Sequence, residues 1–225
     1  MPMTLPYSTI LFDLDGTLTD PKEGITKSIQ YALNKMGIVE NDLEKLTPFI
    51  GPPLLPSFME FYNFSEEEAT QALQFYRERF SVTGLFENEV YEGIKELLKN
   101  LKQSKYRLAV ATSKPTVFAK RILDHFELSQ YFEVIVGSEL DGTRTAKGEV
   151  IAEVFKQMNI EHKDDCVMIG DRKHDLIGAS ENAIDSIGVT YGYGSQQELE
   201  EANATYIVHS VGSFSIIFGN KVSNL

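Results

Sequence analysis

Apolar residues in this chain gather in short runs that stop abruptly. The first, Ile10-Leu11-Phe12, gives way at once to Asp13-Leu14-Asp15-Gly16-Thr17-Leu18-Thr19. Five more runs occupy residues 107–111, 132–136, 166–169, 186–189 and 206–208. Most are β-branched or apolar at successive positions, the pattern of strands covered on both faces of a parallel sheet. Between the runs the period changes. Residues 91–101 set Ile94, Leu97, Leu98 and Leu101 three or four apart, which is one face of a helix. Residues 116–126 and 149–158 do likewise, and 176–183 is a shorter candidate. This alternation predicts an α/β domain with a doubly wound, Rossmann-like parallel sheet.

The alternation is interrupted once. Residues 20–84 carry no strand pattern, whereas a βαβ crossover needs only a dozen or so residues. Helical patterns fill the gap instead, at 23–36, 41–46, 53–62 and 65–80. Ser65-Glu66-Glu67-Glu68 opens the last with the spacing of a capping box. The expected organisation is a core domain of residues 1–19 and 85–225 with a small helical cap domain, 20–84, inserted after the first strand. Residues 16–21 and 81–88 are the expected hinges. The competing reading is one long crossover packed into a single core.

Composition narrows the function. The 225 residues are 42% hydrophobic and 24% charged, a globular balance. The net charge is −12 with no basic cluster, which disfavours nucleic acid and anionic membrane as partners. The single cysteine, Cys166, excludes an internal disulfide and sits in an apolar run, so it is expected in the core. No basic segment followed by a long apolar stretch opens the chain, and no run approaches the ~18 apolar residues of a membrane span. The expected location is cytoplasmic.

The candidate chemistry lies where strands end. Asp13 and Asp15 follow a buried strand, where carboxylates are costly unless a cation and a phosphate share that edge. In open α/β sheets that edge is where ligands bind. Three further pieces follow later strands. Thr112-Ser113 is either a phosphate grip or an ST-turn capping the next helix. Lys147 is either a surface lysine or a point charge that offsets charge at a reacting centre. Asp171 stands where a second metal carboxylate is needed. Asp175, four residues on, is a ligand, a partner of the ligands, or a helix N-cap.

Jointly, Asp13-Leu14-Asp15-Gly16-Thr17, Thr112-Ser113, Lys147, and Gly170-Asp171 with Asp175 resemble the four motifs of the haloacid dehalogenase superfamily. The resemblance spans the whole chain, the helical insert included. Within the superfamily the chain resembles capped phosphatases of the phosphoglycolate-phosphatase and 5'-nucleotidase kind. That likeness is carried by residues 13–20, by Phe49-Ile50-Gly51-Pro52-Pro53-Leu54 and by Gly170-Asp171-Arg172-Lys173-His174-Asp175. It implies that Asp13 attacks phosphorus to form an aspartyl-phosphate. Asp15 serves as acid and then base, and Thr112, the Ser113 amide and Lys147 bind the phosphoryl oxygens. Mg²⁺ is held by Asp13, the Asp15 carbonyl and Asp171, with Asp175 behind them. An acid at Asp15 implies turnover, since relatives that pump ions carry Thr there.

The expected substrate is a small phosphomonoester, a nucleoside monophosphate first and a phosphoglycolate-like compound second. The expected assembly is a monomer or homodimer. The segment 49–55 is either a contact for the leaving group or a connector between helices, and Lys27, Tyr31 and Arg77 are further candidates to face substrate. Asp20 stands where relatives commonly carry Ser, and no role is read from that. The alternatives are a phosphomutase acting on a sugar phosphate, or a catalytically silent scaffold. The latter should have lost one of the acids or the lysine, and none is lost.

Overall fold

A computed structural model describes residues 7–219. By contacts within the chain it divides into two compact units, Met1–Asp20 with Val90–Leu225, and Pro21–Glu89.

The first unit is built on β1 (Thr9–Phe12), the two-residue strand β2 (Thr19–Asp20), and β4 (Arg107–Pro115), β5 (Val134–Ser138), β6 (Cys166–Gly170), β7 (Asp185–Val189) and β8 (Tyr206–Val208); the two-residue β3 (Glu89–Val90) straddles the boundary between the units. Six of these form one sheet in the order β5-β4-β1-β6-β7-β8, and every pairing is parallel. The doubly wound core expected from the apolar runs is therefore present. β1 and β6 are buried along their whole length, which is why neither alternates polar with apolar.

The order contains a switch. From β1 the chain builds outward through β4 and β5 on one side, then returns to β1 and builds through β6, β7 and β8 on the other. A crevice at such a point is the ligand site of open α/β sheets. Register decides which residues meet there. Phe12 lies opposite both Val110 and Ile169, so Asp13 and Asp171 leave the sheet just beyond β1 and β6, level with Thr112 in the longer β4.

Helices flank this sheet. The helix α4 (Ile94–Gln103) buries Ile94, Leu97, Leu98 and Leu101, the face that the spacing predicts. It starts after Gly93, whose φ of +85° suits a residue without Cβ, and not at Tyr91. The helices α5 (Thr116–His125), α6 (Lys147–Met158) and α7 (Lys173–Glu181) follow the next three strands. Val150, Ile151, Val154, Phe155 and Met158 of α6 pack with Leu11, Ala109, Cys166 and Met168 in one core cluster. Cys166 is thus a core residue; burial, then the neighbouring charge of Asp165, pushes its thiol up to about 11. Beyond β7 come α8 (Gln196–Glu201) and α9 (Phe214–Phe218), neither of which the periodicity predicts.

The second unit is helical. It holds α1 (Lys22–Lys35), a 3₁₀ segment at Leu43–Phe49, α2 (Leu54–Tyr62), α3 (Glu66–Arg79) and a π-turn at Phe80–Gly84. Ser65 caps α3 as its sequence predicts: the Ser65 amide donates to Glu68 Oε2 at 2.8 Å and the Glu68 amide to Ser65 Oγ at 3.3 Å. Phe49 packs edge-on to Phe61 and tilted against Phe58, each at 5.0 Å between centroids, giving this small unit an aromatic core. Arg79 grips Glu87 with both nitrogens, at 2.7 and 2.9 Å, and also reaches Ser28 Oγ.

Candidate active site

The turn after β1 fixes the first two acids. Asp13 is the last residue tied to the sheet, its amide donating to the Ile169 carbonyl at 2.9 Å. Beyond it the Leu14 carbonyl accepts from the amides of Thr17, Leu18 and Thr19. Leu14 and Leu18 anchor the turn in the core, and Gly16 adopts φ +79°. The backbone of Asp15 is thus held on both sides, and the acidic side chains lie within a fixed loop.

Charge is the main feature of the site. Among the described residues, the buried charged side chains are Asp13, Asp15, Lys114, Lys147, Asp171 and Asp175. All six belong to this one cluster. Lys147, the first residue of α6, lies 2.9 Å from Asp13 Oδ1 and 2.7 Å from Asp175 Oδ1, and donates to the Ala111 carbonyl at 3.0 Å. Lys114 lies 2.9 Å from Asp15 Oδ2. The Tyr193 amide donates to Asp171 Oδ2 at 2.7 Å and the Thr17 hydroxyl to Oδ1 at 3.5 Å. Asp175 Oδ2 accepts from the Arg172 amide at 3.1 Å, capping the first turn of α7.

Burial sets the protonation of these groups. It raises the Asp15 carboxyl, Lys114 opposes the rise, and the charge of Asp13 adds to it. It carries Asp171 well above the usual carboxylate range, helped by the charges of Asp175 and Asp13. Asp175 is pushed up to about 6 by burial and Asp13, against the pull of Lys147. For Lys147 burial is the largest influence and works downward; the two carboxylates outweigh it and hold the ammonium above its usual value. If all four carboxylates were ionised they would exceed the two ammonium groups by two negative charges in a buried place, which is why burial favours the protonated forms of Asp15, Asp171 and Asp175. The ionised arrangement is costly unless a cation joins it.

The donor set fits a hard divalent ion. Asp13, Asp171 and Asp175 each offer a carboxylate oxygen, and these oxygens lie within 4.8 Å of one another. An all-oxygen set of this kind suits Mg²⁺ or a similar cation and not a soft metal. Asp175 therefore joins the cluster directly while also pairing with Lys147 and capping α7. The Asp15 carboxylate is not in this triplet; it faces Lys114.

The remaining predicted residues are placed as follows. Thr112 is buried, and its hydroxyl accepts from the Lys114 amide at 3.3 Å, the ST-turn geometry. The Ser113 carbonyl accepts from the Ser138 hydroxyl at 2.8 Å, which fixes the backbone that carries its amide. Within the helical unit, Tyr31 donates to Glu78 at 3.1 Å, and Lys27 pairs with Glu23 and Glu87. Phe49 is buried in the aromatic core, so the 49–55 segment is anchored as a connector would be.

Two features escape sequence reading. Lys114 directly follows Thr112-Ser113 but points to Asp15; the available signal was that two buried acids need more than one cation. The other is the loop Tyr191-Gly192-Tyr193-Gly194. A Cβ at Gly192 would lie 2.5 Å from Asp171 Cβ, and one at Gly194 only 1.9 Å from the Asp171 carbonyl oxygen. Only glycine lets this loop wrap Asp171 and deliver the Tyr193 amide. The Tyr191 hydroxyl donates to the Thr17 carbonyl at 3.0 Å, and the Tyr193 hydroxyl to Asp20.

A family model described as haloacid dehalogenase-like hydrolase matches residues 10–189. The chain is 55% identical over 204 residues to a protein of Pseudomonas aeruginosa named 5'-nucleotidase, covering 90% of this chain and 91% of that one. The crystal structure of a predicted phosphatase from Clostridium acetobutylicum superposes with a TM-score of 0.90 at 56% identity, covering 92% and 96% of the two chains. A Mycobacterium tuberculosis protein named Tyrosine-protein kinase PtkA is 38% identical over 201 residues, or 89% of this chain and 68% of that one.

Proposed function

This chain belongs to the haloacid dehalogenase-like hydrolases and is a phosphatase, and we propose that it hydrolyses a nucleoside monophosphate through an aspartyl-phosphate on Asp13. The observation that carries the reading is the buried cluster itself. Four carboxylates and two ammonium groups at the switch point of a parallel sheet bind a metal and a phosphate better than they stabilise a fold. The choice of nucleotide over phosphoglycolate follows the 55% identity to the protein named 5'-nucleotidase, against 28% to one named phosphoglycolate phosphatase.

In this reading an Asp13 oxygen attacks phosphorus and the bond to the leaving oxygen breaks, with Asp15 supplying the proton. Water then attacks the same phosphorus, Asp15 takes its proton, and the bond to Asp13 breaks to release orthophosphate. Thr112, the Ser113 amide and Lys147 hold the other phosphoryl oxygens and offset their charge. Asp13 and Asp171, with the Asp15 carbonyl, would hold Mg²⁺, and Asp175 beside them orients Lys147. When bound, the ion neutralises part of the charge on carboxylate and phosphate. Residues 20–84 act as the cap that selects the leaving group.

The test is phosphate release from a panel of metabolites with Mg²⁺, with Asp13→Asn run alongside. The expected result is a preference for nucleoside monophosphates and a loss of about 10³-fold or more in the variant. Release that survives Asp13→Asn overturns the nucleophile. A second reading, phosphoryl transfer to a protein tyrosine, is favoured by the 38% identity to PtkA. Label passing from ATP to a tyrosine copolymer, in place of phosphate release, would support it.

A further inference from the structure

We propose that Lys114 is a positioning residue that assigns the proton of Asp15 to one oxygen, Oδ1. The inference rests on the reading of Asp15 as acid and base. Lys114 Nζ lies 2.9 Å from Asp15 Oδ2, and both side chains are at least nine-tenths buried. An ammonium group carries three protons and no lone pair, so the oxygen facing it can only accept. A carbonyl oxygen accepts from an ammonium better than a hydroxyl oxygen does, so this contact favours the proton on Oδ1. That atom is buried and accepts no hydrogen bond from the described residues. An unpartnered buried carboxylate oxygen is costly, and an incoming leaving-group oxygen or water would supply its partner.

The backbone gives the arrangement its rigidity. The Lys114 amide donates to the Thr112 hydroxyl at 3.3 Å, which ties the lysine to a residue placed on the phosphoryl group. The opposite wall, the 14–19 turn, holds Asp15 through the Leu14 carbonyl. The two buried lysines thus divide their work. Lys147 contacts Asp13 and Asp175, while Lys114 contacts Asp15. Without Lys114 the Asp15 carboxyl would lose this preference between its oxygens, and only one of the two forms would face the leaving group.

The test compares kcat/KM for wild type, Lys114→Met, Lys114→Arg and Asp15→Asn over alkyl and aryl phosphates with Mg²⁺. This ratio reports only steps up to formation of the aspartyl-phosphate, so the base role of Asp15 in hydrolysis does not enter. A dinitrophenolate leaves without a proton, whereas an alkoxide needs one. The expected loss in Lys114→Met is at least ~10-fold greater for the alkyl phosphate than for the dinitrophenyl ester. Asp15→Asn should show the same dependence more steeply, and Lys114→Arg should recover part of it. An equal loss across the series in Lys114→Met, with a graded loss in Asp15→Asn, overturns the inference and places Lys114 on the phosphoryl group. An equal loss in both overturns the acid role of Asp15 and the inference with it. Where Lys114→Met fails to fold, Lys114→Gln carries the same comparison.

Discussion

A Cβ at position 16 would lie 2.2 Å from Asp171 Oδ2, on a backbone already at φ +79°. Gly16 therefore joins the first acid motif to the last, and its replacement strikes both. Gly16→Ala should destabilise the protein by about 1–3 kcal/mol and should abolish any rise in melting temperature caused by Mg²⁺. Thermal unfolding with and without the ion measures both, and a variant that keeps the full Mg²⁺ effect refutes the link. At this scale much was legible in advance. Asp13, Asp15 and Asp171 are found by residue type at strand ends and Lys147 at the start of a helix, and the structure brings all four to one buried cluster. Lys114 and the Tyr193 amide were not legible, because which side chain faces which carboxylate depends on loop geometry that spacing does not encode. Asp175 shows the same limit, since three readings of it were open and it combines capping with a place in the acid cluster.

Two elements of the helical unit cross where glycine alone fits. A Cβ on Gly24, near the start of α1, would lie 2.0 Å from the Gly84 carbonyl oxygen at the end of the π-turn. The atom it meets is backbone, so the turn cannot yield cheaply. Gly37 just beyond α1 has φ +81° with nothing within 4 Å of its Cβ position. Gly24→Ala should therefore cost about 1–3 kcal/mol through overpacking, and Gly37→Ala about 1 kcal/mol through backbone strain alone. Denaturant melts of the two variants rank them, and equal costs would show that the crossing is not tight. Long elements were readable because their periodicity runs over many residues. The six parallel strands and α1, α3 and α4 were all expected within a few residues of where they lie. The two-residue strands β2 and β3 and the six-residue α8 are too short to carry a period, and tertiary contacts create them. The π-turn at 80–84 continues the pattern of α3 and is invisible for the same reason.

The whole molecule carries a net charge of −12, yet the buried charged side chains among the described residues all lie in one place, the acid cluster. The sheet order explains why. The ends of β1 and β6, far apart in sequence, lie beside one another at the switch point, so the acids that follow them cannot avoid one another. The parallel sheet was legible from the apolar runs, but the strand order was not, because periodicity says nothing of which strand pairs with which. A pH prediction follows from the raised carboxyls. Asp15, Asp171 and Asp175 hold protons to higher pH when folded than when unfolded, where carboxyls titrate near pH 4. The folded state thus binds more protons, and metal-free protein should lose stability as pH rises from about 4 to at least about 6, the value of Asp175. Mg²⁺ competes with those protons for the same oxygens. Its stabilisation should be small at pH 5 and larger at pH 7.5, about 5–10 °C at a hundredfold excess over Kd. Asp171→Asn, which removes a carboxylate but keeps an amide oxygen, should lose most of that rise. Calorimetry at the two pH values, with and without Mg²⁺, decides the matter. A rise of equal size at both would mean that the ion is held elsewhere than at the buried acids. A rise confined to the higher pH and lost in Asp171→Asn would place it among them.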